Sequence, residues 1–419
     1  MTDIENHPLN PERITLTFYD RKARKLGVAW HTKSAGKPEI RYVRMPEGCT
    51  ESEAADFSCA RRIPCETSEG LEGVKNFGVM EDLLPDTDYC CIVGDAARQI
   101  WSRRSVVRRR MPKENGFTVL VVADTQDQRN KGSMWARALD DAFQRYPDAS
   151  FLIHAGDMVQ GGGDPGEWKD MLGAAAEYTG RYPLLQAAGN HEYHRCYLSG
   201  HLYVTSSHYH MELPPQDTAN GMYYAREFGD ALFLVLNSGD DMETGCGLTE
   251  TQLAWLEEEL SSTDKTWRIA VIHNPLYSPG KYGSNPNYNG LALVLRKQLN
   301  GLFEKYRVRL CLCGHDHVWS KTYPINGRGE ILAPGAAGTV HVMPGCAGIQ
   351  CRDSIVDLSP EDYAAIDGIC EEYLPTESGH ASYAAVKVTP ERLEVFYHTV
   401  DCENPKDASV CRSHFALKP

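Results

Sequence analysis

Five apolar, β-rich runs end abruptly in Asp, His or Asn, and this pattern limits the chain more than any other. They are Val121-Val122-Ala123-Asp124-Thr125-Gln126, Phe151-Leu152-Ile153-His154-Ala155-Gly156-Asp157, Leu184-Leu185-Gln186-Ala187-Ala188-Gly189-Asn190-His191-Glu192, Ile269-Ala270-Val271-Ile272-His273-Asn274 and Leu310-Cys311-Leu312-Cys313-Gly314-His315-Asp316-His317. Short apolar runs bounded by turn residues read as buried strands, so the chemistry falls at strand exits. Open αβ sheets place ligands there, beyond the carboxyl ends of the strands. The donors are too many for one four-coordinate zinc. They suit two divalent ions about 4 Å apart that share a carboxylate, activate a bridging water and hold the oxygens of an in-line displacement at phosphorus. Asp neutralises charge, His suits Fe, Mn or Zn, and neutral Asn adds an oxygen without overloading the site.

The rest of the chain divides around these runs. Residues 1–12 read as a flexible lead, and the pattern over 13–112 is all β. Ile14-Thr15-Leu16-Thr17-Phe18 alternates, with strands expected at 26–30, 40–43, 74–80, 89–93 and 105–107. Tyr89 is placed to anchor a sandwich corner. This predicts a small β-sandwich of fibronectin type III kind, read as a packing or docking domain. Arg108-Arg109-Arg110 at the joint reads as a solvated or interdomain charge cluster. Over 113–419 strands alternate with helices, which predicts a layered αβ domain. Strands are expected at 118–123, 150–155, 184–188, 231–236, 268–272 and 308–313, and helices at 133–146, 168–178, 249–260 and 291–306. Thr249-Glu250-Thr251-Gln252 has the form of a capping box. Further strands at 330–332, 339–342, 383–388 and 392–397 suggest a second sheet, and 346–379 is a polar insertion.

A chain of 419 residues with net charge −14 is a poor nucleic-acid scaffold, though a small anion can bind where metal supplies the charge. No apolar run of about 20 residues exists to span a bilayer. The polar start, Met1-Thr2-Asp3-Ile4-Glu5-Asn6, points to a cytoplasmic protein; a chain whose signal had been removed would read the same and be secreted or surface-bound. The fourteen Cys form no CxxC pair. Cys311 and Cys313 read as small core residues, while Cys49, Cys59, Cys65, Cys402 and Cys411 are open to disulfides if the protein is exported.

Asp124-Thr125-Gln126, Gly156-Asp157, Gly189-Asn190-His191-Glu192, His273 and Gly314-His315-Asp316-His317, in this order, resemble the calcineurin-like metallophosphoesterases. The preceding β-sandwich and the run Gly338-Thr339-Val340-His341-Val342…Gly345 resemble the purple acid phosphatase branch. The resemblance implies a four-layer α/β (α+β) sandwich of two mixed sheets flanked by helices, preceded by the fibronectin III-like domain. It also implies a metal-dependent, acid phosphatase-like hydrolase with two divalent ions, Fe, Mn or Zn. Asp124 and His317 would hold the first ion, Asp157 bridge both, and Asn190, His273 and His315 hold the second. His191 would face the leaving oxygen, with Glu192 either orienting it or capping a helix.

Two positions depart from that branch. Gln160 stands three residues after the bridging Asp where the branch has Tyr, so no tyrosinate charge-transfer colour is expected. Gln126 stands two after the first Asp where the branch has Gly and others His; its amide oxygen is a candidate ligand to the first metal, or a hydrogen-bonding group behind it. Such a set favours divalent over ferric iron. The leading expectation is hydrolysis of a small-molecule phosphomonoester by a metal-bridging hydroxide. Gly283-Ser284-Asn285, where plant relatives carry histidines, keeps open a phosphodiesterase acting on cyclic nucleotides or other diesters. The non-enzymatic alternative is a metal-stabilised adhesion or scaffold protein. Among other residues, His154 reads as a buried, hydrogen-bonded histidine, and His194, His201, His208 and His210 read mostly as surface. His341 is expected behind the site, Tyr277 and Tyr282 along its pocket, and Trp319 in packing. Gly161-Gly162-Gly163-Asp164 reads as a flexible cleft loop without the lysine of a P-loop.

Overall fold

The computed structural model describes residues 7–46, 57–193, 205–215, 223–239, 247–284, 289–348, 368–374, 377–404 and 409–419. The insertion expected at 346–379, His194, His201 and Cys49 thus fall wholly or largely outside the described residues.

The described residues between 12 and 109 form two antiparallel sheets packed face to face. Glu12–Phe18, Leu26–Thr32, Val74–Met80 and Glu66–Glu69 make one; Arg61–Pro64, Pro38–Arg44, Thr87–Asp95 and Ile100–Trp101 make the other, with Ser105–Arg109 paired to Thr87–Asp95. This is the fibronectin III-like sandwich, and Tyr89 does tie its corner: the hydroxyl accepts from Leu84 N at 2.8 Å. Asp88 takes both Arg108 and Arg110, so the basic joint is paired within the sandwich rather than bare. Of the expected lead, Leu9 is buried and Pro8 O accepts from Lys33 N, so residues 7–12 pack against the sandwich.

Two mixed sheets follow. One has six strands, running from Leu184–Gln186 through Phe151–His154 and Phe117–Val122 to His380–Val388, Leu393–Asp401 and Val410–Leu417. The other has seven, centred on Ala231–Leu236, Trp267–Ile272, Val308–Leu312 and Val340–Pro344. Within each, the strands that carry the predicted donors pair parallel, so all five exits open on the same edge. Buried on both faces, they read as continuous apolar runs.

Val119, Val121, Ile153 and Leu185 meet Phe233, Ile269, Leu310 and Val340 in the core between the sheets. On the far side of the seven-stranded sheet, Leu232, Leu234, Ala270 and Cys311 pack with Leu256, Leu295 and Leu299 of helices Glu250–Ser262 and Gly290–Lys305. Ser133–Arg145 covers the six-stranded sheet with Trp135, Leu139 and Ala142. These are the four expected layers. The helix expected at 168–178 begins earlier, as Pro165–Ala174, because Asp164 accepts from Gly166 N and Glu167 N and Pro165 needs no N–H partner at the first position. Thr249 caps as expected, accepting from Gln252 N, and the Gln252 amide also clamps Asn237 N and O.

The sandwich is joined to the layers by Phe18, which packs on Phe151 and Phe228, and by Arg226, whose guanidinium donates to Phe18 O, Tyr19 O and Glu212 O. No helix among the described residues is long and apolar enough to cross a membrane.

Candidate metal centre

Each strand exit delivers its donor by a sharp reversal. Asp124, Asp157, His315 and His317 all hold left-handed backbone, with φ of 54°, 58°, 81° and 57°. That conformation costs a non-glycine residue on the order of 1–2 kcal/mol, and such strain gathers where a site demands it. Two glycines make room. A Cβ on Gly189 would sit 2.1 Å from Asp157 Oδ1, and one on Gly156, at φ 95°, would lie 2.5 Å from the His273 ring.

The predicted donors converge. One ligand atom each from Asp157, His273 and His315 lie within 4.8 Å of one another, and so do those from Asp124, Asp157 and His317. Asp157 belongs to both groups. Its Oδ2 is 3.1 Å from His273 Nε2, and neither atom finds a hydrogen-bond partner; His317 Nε2 is 3.3 Å from Asp124 Oδ1. Buried polar atoms are nearly always satisfied, so these orphans mark a place built for a ligand. The Gln126 amide, 1% exposed, has both its polar atoms orphaned as well. Hard carboxylate, imidazole and amide donors fit divalent Mn, Fe or Zn. Asn190 opens the helical turn Asn190–Tyr193 with its side chain exposed, beside His191.

Outer contacts aim the donors. His273 Nδ1 donates to Ala155 O at 2.8 Å, which leaves Nε2 free to ligate. His315 N donates to both Asp124 oxygens, and His191 N donates to Asp157 Oδ1 at 2.9 Å. Burial alone would lower His273, but Asp157 and behind it Asp124 raise it to about 10. Burial works against the Asp157 carboxylate, and the His273, His191 and His315 rings outweigh it, holding the group below the usual range. His154 is the neutral buried histidine that was expected, its ring between Thr125 Oγ1 and Gly156 N and its pKa lowered to about 3 by burial.

Glu192 binds backbone at the strand exits. Its buried carboxylate accepts from Asp157 N, Met158 N, Gly189 N and, at 3.4 Å, Val159 N, stapling two strand exits together. Burial and the Asp157 charge push it up to about 7, while those N–H donors pull it back. His191 is held by Gln160: Nδ1 lies 2.8 Å from the Gln160 carbonyl and 3.0 Å from its amide nitrogen. Donation to the carbonyl leaves Nε2, 3.9 Å from Asp157 Oδ2, facing the centre.

Two residues that the sequence reading passed over also matter. Asp316 is buried and takes Ser278 Oγ, Tyr282 N and Gly283 N, tying the loop after His273 to the His315–His317 turn. Cys346 donates its thiol to Asp124 O. Tyr282 packs 4.2 Å from the His315 ring, as a pocket residue should, but Tyr277 lies under His341, away from the centre. His208 is fully buried, stacked on Trp168 at 4.2 Å, and is no surface residue. The Gly161–Asp164 turn is pinned rather than loose, with Gly162 N on His191 O and Trp168 Nε1 on Gly162 O. Trp319 packs on Tyr397 as expected, and Cys59, Cys65, Cys402 and Cys411 are free thiols.

Comparison with known proteins points the same way as the fold and these donor groups. Residues 117–319 match the family of calcineurin-like phosphoesterases. The solved purple acid phosphatase PPD1 from yellow lupin superposes with a TM-score of 0.72 at 15% identity, covering 99% of this chain and 75% of that one. Human acid phosphatase type 7 is 25% identical over 384 residues, 85% of this chain and 82% of its own length. Probable inactive purple acid phosphatase 1 of Arabidopsis thaliana is 22% identical over 345 residues, 74% of this chain; the chain spans 55% of that relative's length. Residues 117–319 thus match a calcineurin-like phosphoesterase domain, and the chain as a whole shares the fold of a purple acid phosphatase.

Proposed function

We propose that this chain is a binuclear metal-dependent phosphoesterase that hydrolyses phosphomonoesters. The observation that carries the reading is the place of Asp157 in both donor groups, between His273 and His315 on one side and Asp124 and His317 on the other. In this reading Asp124 and His317 hold the first ion, with the orphaned Gln126 amide oxygen offered to it. His273, His315 and Asn190 hold the second. When bound, the ions supply a nucleophilic water near neutral pH and positive charge for the phosphoryl oxygens.

The chain's own residues do the rest. The Gln160 carbonyl fixes the His191 tautomer, and Nε2, on a half-buried ring, can hydrogen-bond or protonate the leaving oxygen. Glu192 and Asp316 keep the loops that bear the ligands at a fixed separation.

The test is hydrolysis of p-nitrophenyl phosphate and bis-p-nitrophenyl phosphate by Mn²⁺-loaded protein, beside His191→Ala and Asp157→Asn. The monoester should turn over, His191→Ala should lose about 10²–10⁴-fold, and Asp157→Asn should lose both activity and bound metal. Faster diester turnover would make the protein a phosphodiesterase. Two bound ions with no turnover of either ester would leave a metal-stabilised scaffold.

A further inference from the structure

A second group of donors lies on the opposite face of the seven-stranded sheet and has no part in the reading above. Cys311 is on Val308–Leu312, and Cys313, two residues on, continues that ladder by donating its N–H to Val342 O. His341 is the register partner of Cys311 on the adjacent parallel strand Val340–Pro344. Side chains alternate along a strand, so these three point together towards the layer of helices Glu250–Ser262 and Gly290–Lys305. Leu310, Leu312, Val340 and Val342 point the other way, into the core between the sheets.

One donor atom from each of Cys311, Cys313 and His341 lies within 4.8 Å of the other two, and the sulfurs are 3.7 Å apart. All three residues are buried, and His341 Nδ1 has no hydrogen-bond partner. A desolvated, unpaired ring nitrogen is costly, and native structures rarely keep one without a reason. The surroundings are apolar: Leu276, Leu295, Leu299 and Met343 share the cluster. Tyr277 meets the imidazole edge-on, with ring centroids 5.0 Å apart, and its hydroxyl accepts from Asn300 Nδ2; Arg296 lies over the Tyr277 ring, and Thr322 Oγ1 accepts the His341 backbone N–H.

We propose that Cys311, Cys313 and His341 form a separate, sulfur-rich cation site that takes zinc. Thiolate and imidazole are the donors that this thiophilic d¹⁰ ion prefers. The charge balances: Zn²⁺ displaces the proton of each thiol, two Zn–S bonds form, two protons leave, and the complex with neutral His341 carries no net charge. That matters in a dry core, where an uncompensated charge is expensive. Met343, two residues after His341 and in the same cluster, is the soft side chain nearest in sequence to the fourth position. With the site closed to solvent, the ion enters as the domain folds, and it ties the Cys311 strand to the His341 strand just before the chain turns into His315.

The test refolds the whole chain with Co²⁺, which reports its own ligands. Wild-type protein should show an intense near-ultraviolet thiolate-to-cobalt band, and the zinc form should release one equivalent of zinc on titration with an organomercurial. The band should persist in Asp157→Asn, whose loss falls on oxygen and nitrogen ligands, which separates this site from the phosphoesterase centre. Cys311→Ala and His341→Gln should each lose the band and that equivalent. Wild-type protein with no band and no mercurial-released zinc overturns the proposal without recourse to any variant, as does a band that survives Cys311→Ala.

Discussion

Glu192→Gln separates two roles that the motif Gly189-Asn190-His191-Glu192 leaves open. In the structure Oε2 accepts from Asp157 N at 2.8 Å and Gly189 N at 2.7 Å, while Oε1 accepts from Met158 N at 2.7 Å and Val159 N at 3.4 Å. Glutamine keeps the shape but only one oxygen. Whichever oxygen is lost, two buried N–H groups then face an NH₂ group. A buried donor left unsatisfied costs about 1–3 kcal/mol; with some relaxation, the pair should cost about 2–4 kcal/mol. For a domain of this size that is a fall of roughly 5–10 °C in melting temperature. The loss should deepen in metal-free protein, because the same bonds fix the Asp157 backbone. The pH–rate profile should keep its shape, since His191 is held by Gln160. The assays are thermal unfolding with and without Mn²⁺ and kcat/KM from pH 5 to 9. A variant that melts with the wild type but has a displaced acidic limb would refute the argument and return Glu192 to His191.

Other perturbations have equally definite outcomes. Asp316→Asn removes a buried acceptor from Ser278, Tyr282 and Gly283, so it should cost about 1–3 kcal/mol in thermal unfolding; an unchanged melting point would mean that the two loops are not tied there. Gln160→Ala leaves the carbonyl that holds His191, so kcat should fall less than about tenfold, against a far larger loss in His191→Ala. Equal losses would assign the tautomer to the amide instead. Burial keeps His31 near 3 and His398 and His210 near 4, and lowers His208 also, with Arg13 and Lys75 adding to the effect on His31 and His208. In the unfolded chain they titrate near 6.5, so between about 6.5 and 4 the unfolded state binds protons that the folded state refuses. Stability should therefore fall as pH drops through that window, by up to about 1.4 kcal/mol per unit for each group. His208→Phe should flatten the dependence of melting temperature on pH, and an unaltered slope would contradict the assignment. Removal of metal by a chelator should lower the melting temperature, with about 2.7 kcal/mol restored per ion at a hundredfold excess over Kd; equal melting curves for stripped and loaded protein would count against ligation.

Much of the centre was legible because strand periodicity and abrupt polar exits are local properties. Asp124 and Asp157 leave parallel strands of one sheet, His273 and the His315–His317 turn leave parallel strands of the other, and the packing of the two sheets brings the exits together. The supporting contacts were not legible, because their partners lie far apart in the chain. Glu192 does cap its turn through Gly189 N, but its bonds to Asp157 N and Met158 N come from a distant loop and left no local signal. His208 looked exposed in a polar stretch, whereas the stacking face that buries it belongs to Trp168. Tyr224–Phe228 escaped notice as a strand because its polar residues are those of a sheet edge, and Arg226 is buried only by giving its guanidinium to carbonyls of the sandwich. The sulfur cluster behind the sheet could not be foreseen either, since pairing Cys311 with His341 requires the register of two strands.

The central claim is that Asp157 is shared by two ions, and anomalous diffraction from crystals grown with Mn²⁺ tests it most directly. The account predicts two peaks about 3.5–4 Å apart, one beside Asp124 and His317, the other beside His273 and His315, with Asp157 between them. A single peak, or two that Asp157 does not bridge, would contradict it.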